Sequence, residues 1–160
     1  MIAASEATGL PQMQLRPMTE ADVAAVVEIE RRVYPFPWTA GIFGDCLRVG
    51  YHCAVLELDF LLVGYGIIAS GAGEAHLLNV CVREEFRNRG FGRALLANLL
   101  ELAAKAGASV VFLEVRPANT AAIRLYEAMG FRQSGLRQGY YQAAGGREDA
   151  LVMRCTIEAA

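Results

Sequence analysis

The fold that this chain predicts is one α/β (α+β) domain on a single mixed sheet, and three observations carry the prediction. The chain has 160 residues, which suits one domain and not two. Its apolar fraction is 54%, enough to cover both faces of a sheet. Apolar runs of strand length and segments of helical period follow each other as strand, two helices, three strands, helix, strand, helix, two strands. The three successive strands are joined by short polar or glycine-containing turns, which favours antiparallel pairing. The expected sheet is therefore mixed but mostly antiparallel, with about seven strands flanked by about four helices.

Residues 1–12 read as a loose leader and 13–160 as the domain. Met13 to Pro17 is a short first strand. Thr19 with Asp22 three residues later is a capping pair. Val23, Val26, Val27, Glu30 and Val33 then share one mainly apolar helical face that ends near Tyr34. Pro35-Phe36-Pro37-Trp38 breaks that helix, and Thr39 can cap a second, shorter one through Leu47. Tyr51 to Leu58, Leu61 to Ser70 and Glu74 to Val82 are the three strands. A loop from Arg83 to Gly90 opens a helix to about Ala106, with Leu95, Leu96, Leu99, Leu100 and Ala103 on its buried side and Gly107 to stop it. Ser109 to Val115 is apolar on both faces, as near a sheet centre. Thr120 to Met129 is a helix stopped by Gly130. Phe131 to Tyr141 and Glu148 to Cys155 form a final hairpin around Ala144-Gly145-Gly146.

A net charge of −2 gives no sign of direct nucleic-acid binding. The four cysteines, Cys46, Cys53, Cys81 and Cys155, have no metal-ligand spacing, and His52 and His76 form no cluster with them; no metal is expected, and the thiols read as reduced and buried. The leader has no basic segment, and the apolar stretch Phe60 to Ala72 is too short to span a bilayer, so the expectation is a soluble, cytoplasmic protein with no membrane contact.

The most informative segment runs from Val80-Cys81-Val82 through Arg87-Asn88-Arg89-Gly90-Phe91-Gly92-Arg93. A strand enters a basic, glycine-containing loop that opens a helix, and helix N-termini carry unpaired N–H groups. Such a loop can hold a pyrophosphate. A P-loop would need Gly-Lys-Ser/Thr, and a dinucleotide fingerprint would need Gly or Ala where Leu95 stands, although Glu114 lies near the place of a ribose-binding acid. Arg87, Gly90 and Gly92 match Arg/Gln-x-x-Gly-x-Gly/Ala in full. The plain alternative is a glycine turn capping an ordinary helix.

Glu114 interrupts an apolar strand and falls on the side of Val110 and Phe112. A carboxylate isolated among apolar neighbours is disfavoured as an anion and is a general-base candidate; the plain alternative is a strand-end residue paired with Arg116. Asn119, Ile123 and Tyr126 are spaced to share one helical face if the helix extends back to Asn119. The plain alternative for Tyr126 is a half-buried aromatic with a bonded hydroxyl.

The run from Asn119 through Leu125-Tyr126-Glu127 to Gly130-Phe131, together with the glycine loop, resembles the GNAT superfamily of N-acetyltransferases. Phe36-Pro37-Trp38, and Tyr140-Tyr141 with Gly146-Arg147-Glu148-Asp149-Ala150, look like the substrate loop and C-terminal hairpin of its RimI-type ribosomal-protein-alanine branch. The likeness runs from about Leu15 to Met153 and implies a single GNAT-type domain and acetyl-CoA as cosubstrate. It implies that main-chain groups of Val80, Cys81 and Val82 hold the acetyl and pantetheine portion, that Asn88, Arg89, Gly90, Phe91, Gly92 and Arg93 hold the pyrophosphate, and that Asn119 contacts the cofactor. Glu114 would accept a proton and Tyr126 donate one; Phe36, Trp38, Tyr140 and Tyr141 would meet the substrate. Asn88 departs from the pattern, where a basic residue is expected.

The implied partner is the N-terminal alanine of a small-subunit ribosomal protein, acetylated by direct amine attack in a ternary complex by a monomeric enzyme. The alternatives are an acetyltransferase with broader peptide, lysine or small-amine substrates and a non-catalytic acetyl-CoA-binding module. A rigid turn with Trp38 plugging the core would explain the Phe-Pro-Trp loop without any substrate. A route through an acylated Cys81 is disfavoured, because no histidine is placed to activate it.

Overall fold

The computed structural model describes residues 12–160, so the leader, Gln12 apart, lies outside the described residues. The strands are β1 (Met13–Pro17), β2 (His52–Leu58), β3 (Leu61–Gly71), β4 (Glu74–Val82), β5 (Val110–Val115), β6 (Arg132–Ala143) and β7 (Gly146–Thr156). The helices are α1 (Val23–Val33), α2 (Ala40–Arg48), α3 (Phe91–Lys105) and α4 (Thr120–Ala128). Short 3-10 turns at Glu20–Asp22 and Glu84–Phe86 lead into α1 and toward α3. The sheet order is β1-β2-β3-β4-β5-β7-β6; β4 and β5 are parallel and the other neighbours antiparallel. The expected mixed, mostly antiparallel seven-stranded sheet with four helices is what the chain forms.

Local chemistry sets the element ends. The Thr19 N–H donates to Asp22 Oδ2 at 2.8 Å, so the capping pair is made, on a 3-10 turn that precedes α1. Thr39 caps α2 by accepting from the Ile42 N–H at 3.3 Å. The last two strands run further toward their turn than the residue pattern suggests, because backbone pairing continues to Ala143 and Gly146.

Each face of the sheet carries its own core. On one face α1 and α2 bury Val26, Ile29, Phe43 and Cys46 against Val55, Tyr65, Ile67 and Cys81. On the other, α3 and α4 bury Leu96, Leu99 and Tyr126 against Ile68, Leu77, Val111, Leu113 and Met153. α3 lies close because β3 presents glycine beneath it: a Cβ on Gly66 would sit 2.5 Å from Leu99 Cδ1, and one on Gly64 would sit 2.8 Å from Leu95 Cδ1 and 2.9 Å from the Cys81 carbonyl. β5 turns Val111, Leu113 and Val115 into this second core, and leaves Val110, Phe112 and Glu114 half-buried on the first face.

Candidate active site

The site begins where the sheet parts. β4 pairs with β5 only from Glu74 to Leu77, so among the described residues Leu78–Val82 has no strand partner on that side. Leu78 is also an extra residue against β3, where Ile67 faces Asn79 and Ile68 faces Leu77. That bulge shifts the alternation by one, so Asn79 and Cys81 point to the α1–α2 face and Val80 and Val82 to the α3 face. The Arg83 N–H donates to Val63 O at 2.8 Å. With Gly64 opposite Val82 and Gly66 opposite Val80, this bond turns the peptide groups of Val80 and Val82 away from β3, into the gap. Cys81, between them, is turned toward Tyr65 of β3.

The N-terminus of α3 lies beyond the end of β4. Gly90 is its N-cap at φ 85°, with no side-chain cap, so the first-turn N–H groups keep no helical partner. Asn88 is also left-handed, at φ 62°. Asparagine tolerates that region better than a lysine or arginine would. Nothing lies within 4 Å of where a Cβ on Gly90 would sit, so the cradle is open. Arg89 folds over the Phe86 ring at 5.4 Å, and the Arg87 Nε–H donates to Val82 O at 3.4 Å. A pyrophosphate fits this set of donors and cations.

Glu114 sits on the α1–α2 face with a side chain only 7% exposed, but it is not isolated among apolar groups. His76 Nε2 is 2.7 Å from Glu114 Oε1, and Arg137 Nη1 is 3.7 Å from the same oxygen. The alternative partner Arg116 turns away: it pairs with Glu148 at 3.2 Å and stacks on Tyr141 at 4.3 Å. Tyr140 and Tyr141 meet edge to face at 4.9 Å, and Arg137 covers Tyr140 at 4.4 Å. Burial raises both phenols first, and Glu114 contributes to each rise, so both rings lie near its carboxylate. Adjacent strand residues normally face opposite ways. Here β6 bulges between Arg137 and Tyr141, with Gly139 at φ 58° and its N–H held by Asp149 Oδ1 at 2.9 Å, so both rings reach one side.

Tyr126 comes from the opposite face, on α4, and packs on Phe131 at 5.8 Å. Burial pushes its phenol up to about 12, with Cys81 adding to the rise. Its hydroxyl makes no protein hydrogen bond among the described residues. Burial raises the Tyr141 phenol first, and Glu114 and Tyr126 both add to the rise, so both lie in its neighbourhood. Burial also pushes the Cys81 thiol up, so the thiolate needed for an acyl-cysteine route is disfavoured.

The remaining predicted residues are spread around this centre. Asn119 is exposed, is the N-cap of α4 and not its first turn, and accepts from the Ala122 N–H at 3.2 Å. Phe36 is 44% exposed, whereas Trp38 packs on Phe43 at 5.3 Å and its backbone N–H donates to Glu30 Oε2 at 2.9 Å. Sequence reasoning missed the role of Glu30, which it read only as part of a helical face. Glu30 is 2% exposed and also accepts from Tyr65 Oη at 2.6 Å and Asn79 Nδ2 at 3.0 Å, tying the Trp38 loop to the β4 bulge. An acid inside an apolar stripe was the available signal. It also missed His76, for which no signal exists until β4 and β5 are placed in register. Among the described residues no group of three or more His, Cys, Asp or Glu side chains could hold a metal ion.

The chain is similar to known proteins over most of its length. The [ribosomal protein bS18]-alanine N-acetyltransferase of Escherichia coli (strain K12) is 36% identical over 136 residues, covering 85% of this chain and 92% of that protein. A putative [ribosomal protein bS18]-alanine N-acetyltransferase of Bacillus subtilis (strain 168) is 35% identical over 145 residues, 89% of this chain and 95% of that one. The crystal structure of the ribosomal-protein-S18-alanine N-acetyltransferase from Escherichia coli superposes with a TM-score of 0.85 at 34% identity, covering 93% of this chain and 96% of that one. The model of the Acetyltransferase (GNAT) family matches residues 23–131, from α1 to the end of α4. That stretch holds the β4–β5 gap, the glycine loop, Glu114 and Tyr126, and the chain belongs to the acetyltransferase (GNAT) family, whose enzymes use acetyl-CoA.

Proposed function

We propose that this enzyme moves the acetyl group of acetyl-CoA to the N-terminal α-amine of a small-subunit ribosomal protein, alanine first, by direct attack in a ternary complex. The observation that carries the reading is that β4 parts from β5 after Leu77, with Glu114 on β5 on one face of the sheet and Tyr126 of α4 packed in the core of the other, both in the neighbourhood of Tyr141. The similarity to the bS18-alanine enzymes supports the alanine acceptor. No described helix is long and apolar enough to cross a membrane, and the reading is of a cytoplasmic monomer without direct nucleic-acid contact.

The main-chain N–H groups from Asn88 to Arg93, with the arginine side chains, would hold the pyrophosphate; Val80 and Val82 would hold the pantetheine and thioester, and Asn119 would contact the cofactor. Bound acetyl-CoA supplies an activated carbonyl and a thiolate leaving group. Glu114 takes the proton that an α-amine still carries at neutral pH, since its reference pKa is about 7.7–8.0 against about 10.4 for lysine. An N–H in the gap polarises the carbonyl as the amine nitrogen bonds to it. Tyr126 gives its proton to the departing sulfur; with its phenol held at about 12 it stays protonated across the working range. Phe36, Tyr140 and Tyr141 frame the approach of the peptide, and Trp38 fixes the loop that carries Phe36.

The test is an intact-mass assay with acetyl-CoA and peptides that begin with alanine, against lysine peptides and polyamines. Only the alanine peptides should gain an acetyl group at an appreciable rate, and Glu114→Gln should lower their kcat about 10²–10⁴-fold while coenzyme A binding survives. Equal acetylation of lysine side chains would replace this reading with the broader-specificity one.

A further inference from the structure

His76 has no place in the mechanism above, yet it makes the shortest polar contact to the base. It lies on β4 opposite Phe112 of β5, in the paired stretch just before the strands part, and Glu114 is two residues further along the same face. An ionised carboxylate can only accept, so the proton in the 2.7 Å contact belongs to Nε2. The contacts from His76 and from Arg137 both fall on Oε1, and the Tyr140 hydroxyl lies within hydrogen-bonding reach of the carboxylate as well. The His76 side chain is 38% exposed, against 7% for Glu114, and it lines a cavity of about 470 Å³ with Ser70, Glu74, Phe112 and Arg137. Glu114 lines the same cavity, so the imidazole and the carboxylate share one opening.

We propose that His76 is the positioning residue of the base: its Nε2–H fixes Oε1 of Glu114, leaves Oε2 to receive the amine proton, and links the strength of the base to solution pH through the other ring nitrogen. The inference rests on Glu114 being the base. When Nδ1 takes a proton, a full positive charge stands beside the carboxylate and stabilises it against accepting the proton of the amine. The charged or titratable groups around the ring are Glu74 on β4, Glu114 on β5, Arg137 and Tyr140 on β6, and Arg154 over Phe112 on β7. Arg137 and Arg154 are guanidiniums that stay charged, so among these cations the imidazole of His76 is the one able to lose its charge.

The experiment compares the full chain with His76→Ala, His76→Gln and Glu114→Gln on one alanine peptide, from about pH 6 to about pH 8.5. His76→Ala should lower kcat about 10- to 100-fold with the KM for acetyl-CoA little changed, and added imidazole should restore part of the rate through the cavity. His76→Gln, which keeps a neutral N–H for Oε1, should recover most of kcat and lose less rate than the wild type as pH falls. Wild-type kcat and pH profile in both His76 variants would overturn the proposal, as would a loss in His76→Ala that neither imidazole nor glutamine repairs. If His76→Ala does not fold, the pH profile of His76→Gln decides alone. Full activity in Glu114→Gln would instead remove the base itself, and that result is distinct from a failure confined to His76.

Discussion

Tyr126 and Glu30 are both buried polar side chains, and their partners give them opposite characters. Glu30 spends its oxygens on three donors and acts as a knot between α1, β3, the bulge of β4 and the Trp38 loop. The Tyr126 hydroxyl keeps its proton and makes no protein bond among the described residues, which suits a group that donates to an incoming partner. We expect Tyr126→Phe to lower kcat by about 10²-fold or more, with the melting temperature nearly unchanged because no protein hydrogen bond is lost. With the phenol at about 12, wild-type activity should show no alkaline decline from this residue below about pH 11; rate profiles and thermal melts of both proteins check the two statements together. Both Glu114 and Tyr126 were legible as candidates, one as a charge in an apolar strand and one by its place after Asn119. Their actual surroundings were not. The contact of His76 with Glu114 depends on a parallel register between strands separated by 27 residues of chain from Arg83 to Ser109, and no local pattern encodes it.

At the scale of elements, the site is built from irregularities. β4 carries a bulge and half of a ladder, β6 carries a bulge that brings two adjacent tyrosines to one side, and β3 carries glycines under α3. The strands and helices themselves could be read from period and punctuation, and every one of them forms close to its expected bounds. Bulges leave no such trace, since one extra residue looks like any other until its partner strand is known. Gly64 ties α3 packing to the site, because a side chain there would press on both Leu95 and the Cys81 carbonyl. We expect Gly64→Ala to destabilise the fold by about 1–3 kcal/mol and to raise the KM for acetyl-CoA by displacing β4. Denaturant unfolding and acetyl-CoA titration would show both effects, and a stable variant with normal KM would mean that α3 moves without moving β4.

Across the whole molecule, a charged cluster joins the outer sheet edge to α1. Arg16 on β1 reaches Asp22 at 2.7 Å and also pairs with Glu57 on β2. The hydrogen bond from Arg16 holds the Asp22 carboxyl down at about 2, against an ordinary 3.8, with burial opposing. A lowered acid stabilises the fold where it is ionised in both states. The contribution is therefore complete above about pH 4, declines as pH falls from 3.8 toward 2, and is gone below that. Asp22 is largely shielded, so the cluster should add on the order of 1–2 kcal/mol at neutral pH. Asp22→Asn should lose that stability at pH 7 and flatten the dependence of stability on pH in the acid range, as read by urea unfolding at several pH values; an unchanged acid slope would remove Asp22 from the account.

The missing rungs between β4 and β5 have one more consequence. A completed ladder would make the sheet a wall, with α1 and α2 on one side and α3 and α4 on the other. Where the rungs stop after Leu77 the wall has a window, with Glu114 on the α1–α2 side of the sheet and Tyr126 on the α3–α4 side. In the reaction proposed for this enzyme, a chain end and a nucleotide-linked arm would touch through that window, each approaching from its own side.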